Sequence, residues 1–155
     1  MVDRIELSPA SKRRRPRGKI LRVLIVEDTH ERQAVLQRLA KDHAWIMVNT
    51  ATRSIRLLES YPFDLIFLDY DLAGEARGDR VAEAIRESKN ARAKVIVHSQ
   101  SAPGAKRIAA ILPEADLVPL SKITRNNTTF KRLREEMERG VAVDWEYVFS
   151  VEKSK

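Results

Sequence analysis

The chain has 155 residues, enough for one domain with a substantial core, and its 43% hydrophobic and 33% charged content is ordinary for a globular protein. The absence of cysteine excludes disulfides and thiolate metal sites, and no apolar run approaches the roughly 20 residues that span a bilayer. The net charge of +7 is unevenly placed: residues 1–19 hold Lys12, Arg13, Arg14, Arg15, Arg17 and Lys19, leaving residues 20–155 at only +2. The basic excess therefore belongs to an arm. It reads first as a solvated, flexible leader, and only through residues 12–19 could the chain touch nucleic acid. No apolar segment follows those basic residues, so the arm is not a secretory signal and a cytoplasmic protein is expected.

Residues 1–19 contain Pro9, Pro16 and Gly18 without apolar periodicity, the signature of a linker or tail. Strand-like and helix-like segments then alternate. Strands are expected near 21–26, 45–49, 63–68, 94–98 and 116–120, and helices near 30–41, 52–60, 79–88, 103–112 and 127–139. Ala34, Val35, Leu36 and Leu39 form the apolar stripe of the first helix, with Thr29 as its N-cap. Pro103 suits the first turn of the fourth. The fifth has Asn126 and Asn127 as cap candidates, Phe130, Leu133 and Met137 facing inward, and Gly140 as terminator. Beyond it Val141, Val143, Trp145, Tyr147, Phe149 and Val151 alternate with mostly polar residues, which favours a sixth strand, with helical spacing through Trp145, Val148 and Phe149 as the alternative. The expected organisation is an arm (1–19), one α/β domain (20–140) and a C-terminal extension (141–155).

Five strand–helix alternations imply a doubly wound parallel sheet, expected in the order 2-1-3-4-5. Its interior strands read as continuous apolar runs, and ligands bind beyond their carboxyl ends. That rule gathers Glu27 and Asp28 after Val26, Asp69 and Asp71 after Leu68, His98 and Ser99 after Val97, and Ser121 and Lys122 after Leu120. Clustered carboxylates repel in a partly desolvated cleft unless a cation sits among them, so a Mg2+-type site able to handle a phosphoryl group is expected. Glycines 18, 74, 78, 104 and 140 make no phosphate loop of the Walker or dinucleotide type. His98 beside Ser99 implies no catalytic triad, because adjacent strand residues point to opposite faces. Both could face one site only if the strand ends before them.

Across roughly residues 20–139 this arrangement resembles the receiver domain of bacterial response regulators. The resemblance rests on Glu27-Asp28, Asp69, Ser99, Lys122 and the glycine-led helix start Gly78-Asp79-Arg80-Val81. It implies that Glu27, Asp28 and Asp69 hold Mg2+ and that Asp69 accepts a phosphoryl group. Ser99 and Lys122 would contact its oxygens, and Asp71 would lend a backbone carbonyl to the metal. It further implies a histidine kinase or phosphotransfer protein as phosphodonor. Output would pass by protein contact through the face of the fourth helix, fifth strand and fifth helix. Gly104, Ala105, Ala109 and Ala110 keep part of that face small, which suits a downstream partner or a homodimer. The resemblance thus implies a phosphoacceptor signalling domain of a two-component system rather than an enzyme.

Several residues depart from that pattern. Lys122 is followed by Ile123 where family members usually have proline, and the turn 72–78 is about one residue longer. His98 replaces an aliphatic residue, and the fifth strand lacks an aromatic partner for the switch hydroxyl. Asp69-x-Asp71-Leu72, Gly74 and His98-Ser99-x-x-x-Pro103-Gly104-Ala105 look like a receiver-derived group proposed to process cyclic phosphates. That second resemblance implies Asp71 as a further metal-facing carboxylate and His98 as a general acid or base. The bland alternatives are a core histidine bonded to backbone, a loop aspartate capping the Gly74 turn, and a degenerate receiver adaptor. His30 and His43 read as bystanders.

Overall fold

The computed structural model describes residues 18–121 and 127–139. The arm up to residue 17, Lys122, Asn126, Gly140 and the predicted sixth strand lie outside the described residues. The elements within the described residues are, in order, β1 (Arg22–Val26), α1 (His30–Ala40), β2 (Ala44–Val48), α2 (Ala51–Ser60), β3 (Leu65–Leu68), α3 (Gly78–Glu87), β4 (Lys94–Val97), α4 (Ala102–Ile111), β5 (Asp116–Leu117) and α5 (Asn127–Met137). The sheet has five parallel strands in the order β2-β1-β3-β4-β5.

Alternation along each apolar run divides the core between the two faces of the sheet. Val23, Ile25, Leu65, Phe67 and Ile96 pack against Leu36 and Leu39 of α1 and Leu133 and Met137 of α5. Leu24, Val26, Ile66, Leu68, Val95 and Val97 pack against Leu58, Val81, Ile85 and Ile108 of α2, α3 and α4. β1 and β3 are buried on both faces, and each large side chain so enclosed stabilises the fold by roughly 1.5–3 kcal/mol. These are the strands that carry Glu27 and Asp69 at their carboxyl ends.

Polar contacts set the register. Arg22 binds both oxygens of Asp64 (Nε–Oδ2 3.0 Å, Nη2–Oδ1 2.8 Å), fastening β1 to the start of β3. Asn90 is buried and fully engaged: its Nδ2 donates to the carbonyls of Leu58 and Tyr61, and its Oδ1 accepts from Phe63 N. Lys94 pairs with Asp116 and ties β5 to β4. His43 Nδ1 accepts from Leu21 N at 3.0 Å, helping to anchor the chain entering β1.

Three local expectations are corrected. The strand expected at 116–120 is regular only over Asp116 and Leu117, in register with Ile96 and Val97, although Val118 N still donates to Val97 O at 2.8 Å and Leu120 N to His98 O at 3.1 Å. Thr29 stands at the N-cap of α1 without a side-chain cap bond. Its hydroxyl instead accepts from Arg32 Nη2 at 2.7 Å. Gly104 and Ala105, expected on an open interaction face, are buried. A Cβ on Gly104 would lie 2.3 Å from Cγ of Tyr70, so the missing side chain lets α4 settle onto that ring.

Candidate functional site

β1 delivers Glu27 and β3 delivers Asp69 to the same rim, since Val26 and Leu68 are directly paired. Glu27 N donates to Val48 O at 3.0 Å and Asp69 N to Val26 O at 3.1 Å, so both backbones are still held by the ladder as the chain leaves it. β4 ends at Val97. His98 is nevertheless still held by its neighbours, its N donating to Leu68 O at 3.2 Å and its O accepting from Leu120 N at 3.1 Å. Alternation from Ile96 therefore carries it to the face that Ile25 and Phe67 share with Glu27 and Asp69, and Ser99 follows at the rim.

Glu27, Asp69 and His98 are all buried and offer ligand atoms within 4.8 Å of one another. His98 Nε2 lies 2.8 Å from Glu27 Oε1. The other oxygen, Oε2, accepts from Thr29 N at 2.9 Å. Burial alone would push the Glu27 carboxyl upward. The His98 hydrogen bond and charge, the Thr29 N–H and Arg32 outweigh it and hold Glu27 below the usual carboxylate range. An ionised carboxylate only accepts, so His98 Nε2 is the donor.

Asp69 is displaced the other way. Burial raises its carboxyl above the usual range, the Glu27 charge adds to this, and His98, Arg32 and the Ser99 hydroxyl offset it only in part. Its Oδ1 accepts from Tyr70 N at 2.8 Å. Its Oδ2 is buried and has no hydrogen-bond partner. A buried oxygen left without a hydrogen-bond donor is costly, and the Glu27 charge adds to the cost of ionising Asp69. This is the donor set a divalent cation satisfies, so Glu27 and Asp69 fit the expected ion, with His98 beside them.

The loop past Asp69 is fixed by close backbone approach. Gly78 N donates to Tyr70 O at 2.7 Å, and a Cβ on Gly78 would lie 2.3 Å from Asp69 O. The turn returns through Gly74 at φ 88°, a left-handed position that glycine tolerates. Thr50 and Ala73 form an isolated bridge beneath it. On the other side, Ser99 Oγ accepts from Ser101 N at 3.1 Å, and Ser101 Oγ accepts from Gly104 N at 3.1 Å as the cap of α4. The hydroxyl proton of Ser99 stays available to donate toward Asp69. Arg107 Nη1 donates to Tyr70 Oη at 3.0 Å, so the residue after Asp69 is clasped by α4 at both ends of its ring.

The structure thus brings together Glu27, Asp69, His98 and Ser99. Asp28 and Asp71 are exposed, and neither belongs to the buried cluster of Glu27, Asp69 and His98. Lys122 lies outside the described residues. His98 is bonded to a carboxylate rather than to backbone. The sequence reading overlooked Arg32, whose guanidinium lies 3.4 Å from Glu27 Oε1 and 3.8 Å from Asp69 Oδ2. Its place in the first turn of the helix that follows Glu27-Asp28 was the available signal.

A parallel sheet of order 2-1-3-4-5, with carboxylates ending β1 and β3 and a hydroxyl just past β4, defines a response-regulator type of receiver domain. Within that class the chain belongs to the cyclic-phosphate processing receiver domain family, whose model matches residues 22–114. Solved structures share the fold. The Mn2+-bound form of response regulator Rcp1 is 22% identical, with 81% of this chain and 94% of that one covered and a TM-score of 0.56. The phosphorylated cyanobacterial phytochrome response regulator RcpA is 18% identical, covering 86% and 96%, with a TM-score of 0.59. The response regulator TrrA from Thermotoga maritima, in complex with Mg2+-BeF, is 20% identical, covering 74% and 99%, with a TM-score of 0.59. No curated protein matches the chain. No helix among the described residues is long and apolar enough to cross a membrane.

Proposed function

We propose that the chain is a phosphoacceptor receiver of a two-component phosphorelay, with Asp69 as the group that takes the phosphoryl. The observation that carries this reading is Asp69 Oδ2, a buried carboxylate oxygen without a hydrogen-bond partner beside Ser99 and Arg32. Asp69 attacks phosphorus in line to form an acyl phosphate, and the P–N bond to the donor imidazole of a histidine kinase or phosphotransfer protein breaks. The imidazole leaves as a neutral ring that keeps the electron pair of that bond and the proton on its other nitrogen. Ser99 donates a hydrogen bond to a phosphoryl oxygen. Glu27 and Asp69 would hold Mg2+ or Mn2+, with Asp28 or the Asp71 carbonyl as further oxygen ligands, and the ion would neutralise the incoming charge. Lys122 is expected to pair with Asp69 before transfer and with the phosphoryl group after it.

In this reading the output is a shift of α4. Ser99 is linked to its N-cap through Ser101, and Tyr70 rests on Gly104. A pull on Ser99 and a displacement of Tyr70 therefore act on the same helix end. The recipient is a downstream protein or a second copy, in a cytoplasmic setting. The test is intact mass after incubation with Mg2+ and acetyl phosphate: one phosphoryl adduct on the wild type and none on Asp69→Ala supports the reading.

A second reading, suggested by the name of the matched family, is a metal-dependent reaction on a cyclic phosphate with His98 as acid or base. His98 is fully buried with Nε2 committed to Glu27, an arrangement suited to positioning Glu27 rather than touching substrate. Hydrolysis of a 2′,3′-cyclic nucleotide, lost in His98→Ala, with no adduct from acetyl phosphate, would reverse the order of the two readings.

A further inference from the structure

Arg32 spans the two carboxylates of the candidate cation site. Its Nε lies 3.4 Å from Glu27 Oε1 and its Nη2 3.8 Å from Asp69 Oδ2, while Nη2 also donates to Thr29 Oγ1 at 2.7 Å. Its side chain is 26% exposed above acceptors that are 0% and 1% exposed. The guanidinium therefore sits at the mouth, with the carboxylates beneath it. Both carboxylates feel its charge. A divalent ion binding Glu27 and Asp69 would meet this positive group in the space it must approach. The hydroxyl of Thr29 is neutral and offers an anchor that survives loss of the carboxylate contacts.

We infer that Arg32 is a mobile counter-cation: it neutralises Glu27 and Asp69 until a divalent ion displaces it, then contacts phosphate oxygens brought to Asp69. A planar guanidinium suits that second role because its N–H groups match the geometry of phosphate oxygens. Displacement over a short arc, pivoting about Thr29, leaves the donors facing the entrance rather than the core. The inference rests on Asp69 as the phosphate-facing group, so the experiment separates failure of one from failure of the other.

Mg2+ is titrated calorimetrically into wild type, Arg32→Ala and Arg32→Lys, and inorganic phosphate is then titrated at saturating Mg2+. Circular dichroism establishes that each variant is folded, and Arg32→Lys serves should Arg32→Ala fail to fold. Adduct formation from acetyl phosphate is followed in parallel by intact mass. The expected result is Mg2+ affinity severalfold tighter in Arg32→Ala, phosphate affinity lower, and adduct formation slower by about tenfold or more. Arg32→Lys should fall between, because it keeps the charge without the planar fork. Unchanged or weaker Mg2+ affinity in Arg32→Ala, or no Arg32-dependent phosphate binding, overturns the inference. An adduct that forms on Arg32→Ala at the wild-type rate overturns it while sparing Asp69 as acceptor. No adduct on wild type, with phosphate binding that still needs Arg32, sinks the acceptor reading and upholds Arg32.

Discussion

His98 Nε2 lies 2.8 Å from Glu27 Oε1 across 71 residues of sequence, and both side chains are fully buried. The bond joins the end of β4 to the end of β1 over the intervening β3. It fixes the Glu27 carboxylate in place while Thr29 N holds its other oxygen.

His98→Leu should therefore cost about 3 kcal/mol, because it leaves an ionised carboxylate buried without its donor. In a Glu27→Gln background the same change should cost much less, and a double-mutant cycle by urea unfolding reads the difference. Equal costs in both backgrounds would remove the pair from the account of stability. The pH sense follows from the depressed Glu27 carboxyl. Its contribution is fully present above the ordinary value of 4.5 and is lost as pH falls through the lower folded value.

Asp69 should behave oppositely. Its carboxyl is raised in the folded protein, chiefly by burial, so the native state binds that proton more tightly than the unfolded chain. Asp69 therefore opposes folding at neutral pH, and this penalty fades as pH falls through the raised folded value. In metal-free protein Asp69→Asn is expected to be more stable than wild type by about 1 kcal/mol at neutral pH. The gain should vanish in acid below the ordinary value of 3.8, where the carboxyl is protonated in both states. Thermal melts of the two proteins between neutral and acid pH test this. A variant less stable than wild type at neutral pH would contradict the assigned strain.

The sheet was legible because its interior strands are uninterrupted apolar runs ending in polar residues, a pattern that places Glu27, Asp69 and Ser99 on one rim without knowledge of any contact. What escaped depends on tertiary partners. His98 continues the face of Ile96 while its backbone is held by Leu68 O and Leu120 N, and a run read to residue 98 does not reveal that Glu27 lies across β3 as its partner. Thr29 was expected to cap α1, but its hydroxyl is taken by Arg32. An arginine in a first helical turn resembles any solvated charge until the carboxylates below it are located. Gly104 and Ala105 were read as a small-residue surface, whereas Tyr70 covers the glycine. The length of a strand and the occupant of a hydroxyl are tertiary facts, and one sequence does not encode them in a local pattern.

Gly78 offers a test of how tightly the loop past Asp69 is built. A methyl group at this position would lie 2.3 Å from the carbonyl oxygen of Asp69 and 2.7 Å from Tyr70 Cα, both backbone atoms. Neither can yield without moving Asp69 itself. Gly78→Ala is expected to destabilise the fold by about 2 kcal/mol, in the range of overpacked cores. It should also reduce adduct formation at Asp69 under conditions where the variant remains folded. Urea melts read the first effect and intact mass the second. Wild-type phosphorylation in a folded Gly78→Ala protein would show that the loop tolerates displacement.

Cation removal should be visible in stability as well as chemistry. Glu27 and Asp69 are apposed in the folded chain and separated in the unfolded one, so a divalent ion binds the native state preferentially and shifts the equilibrium toward it. At a free concentration a hundredfold above Kd the gain is about 2.7 kcal/mol. Mg2+ or Mn2+ should raise Tm of the wild type, and a chelator should return it to the metal-free value. Asp69→Asn removes the charge next to the unpartnered Oδ2 and should lose most of the shift. Asp28→Asn, at an exposed position outside the buried cluster, should lose less. A shift that persists undiminished in Asp69→Asn would place the ion elsewhere on the chain and detach it from the acceptor.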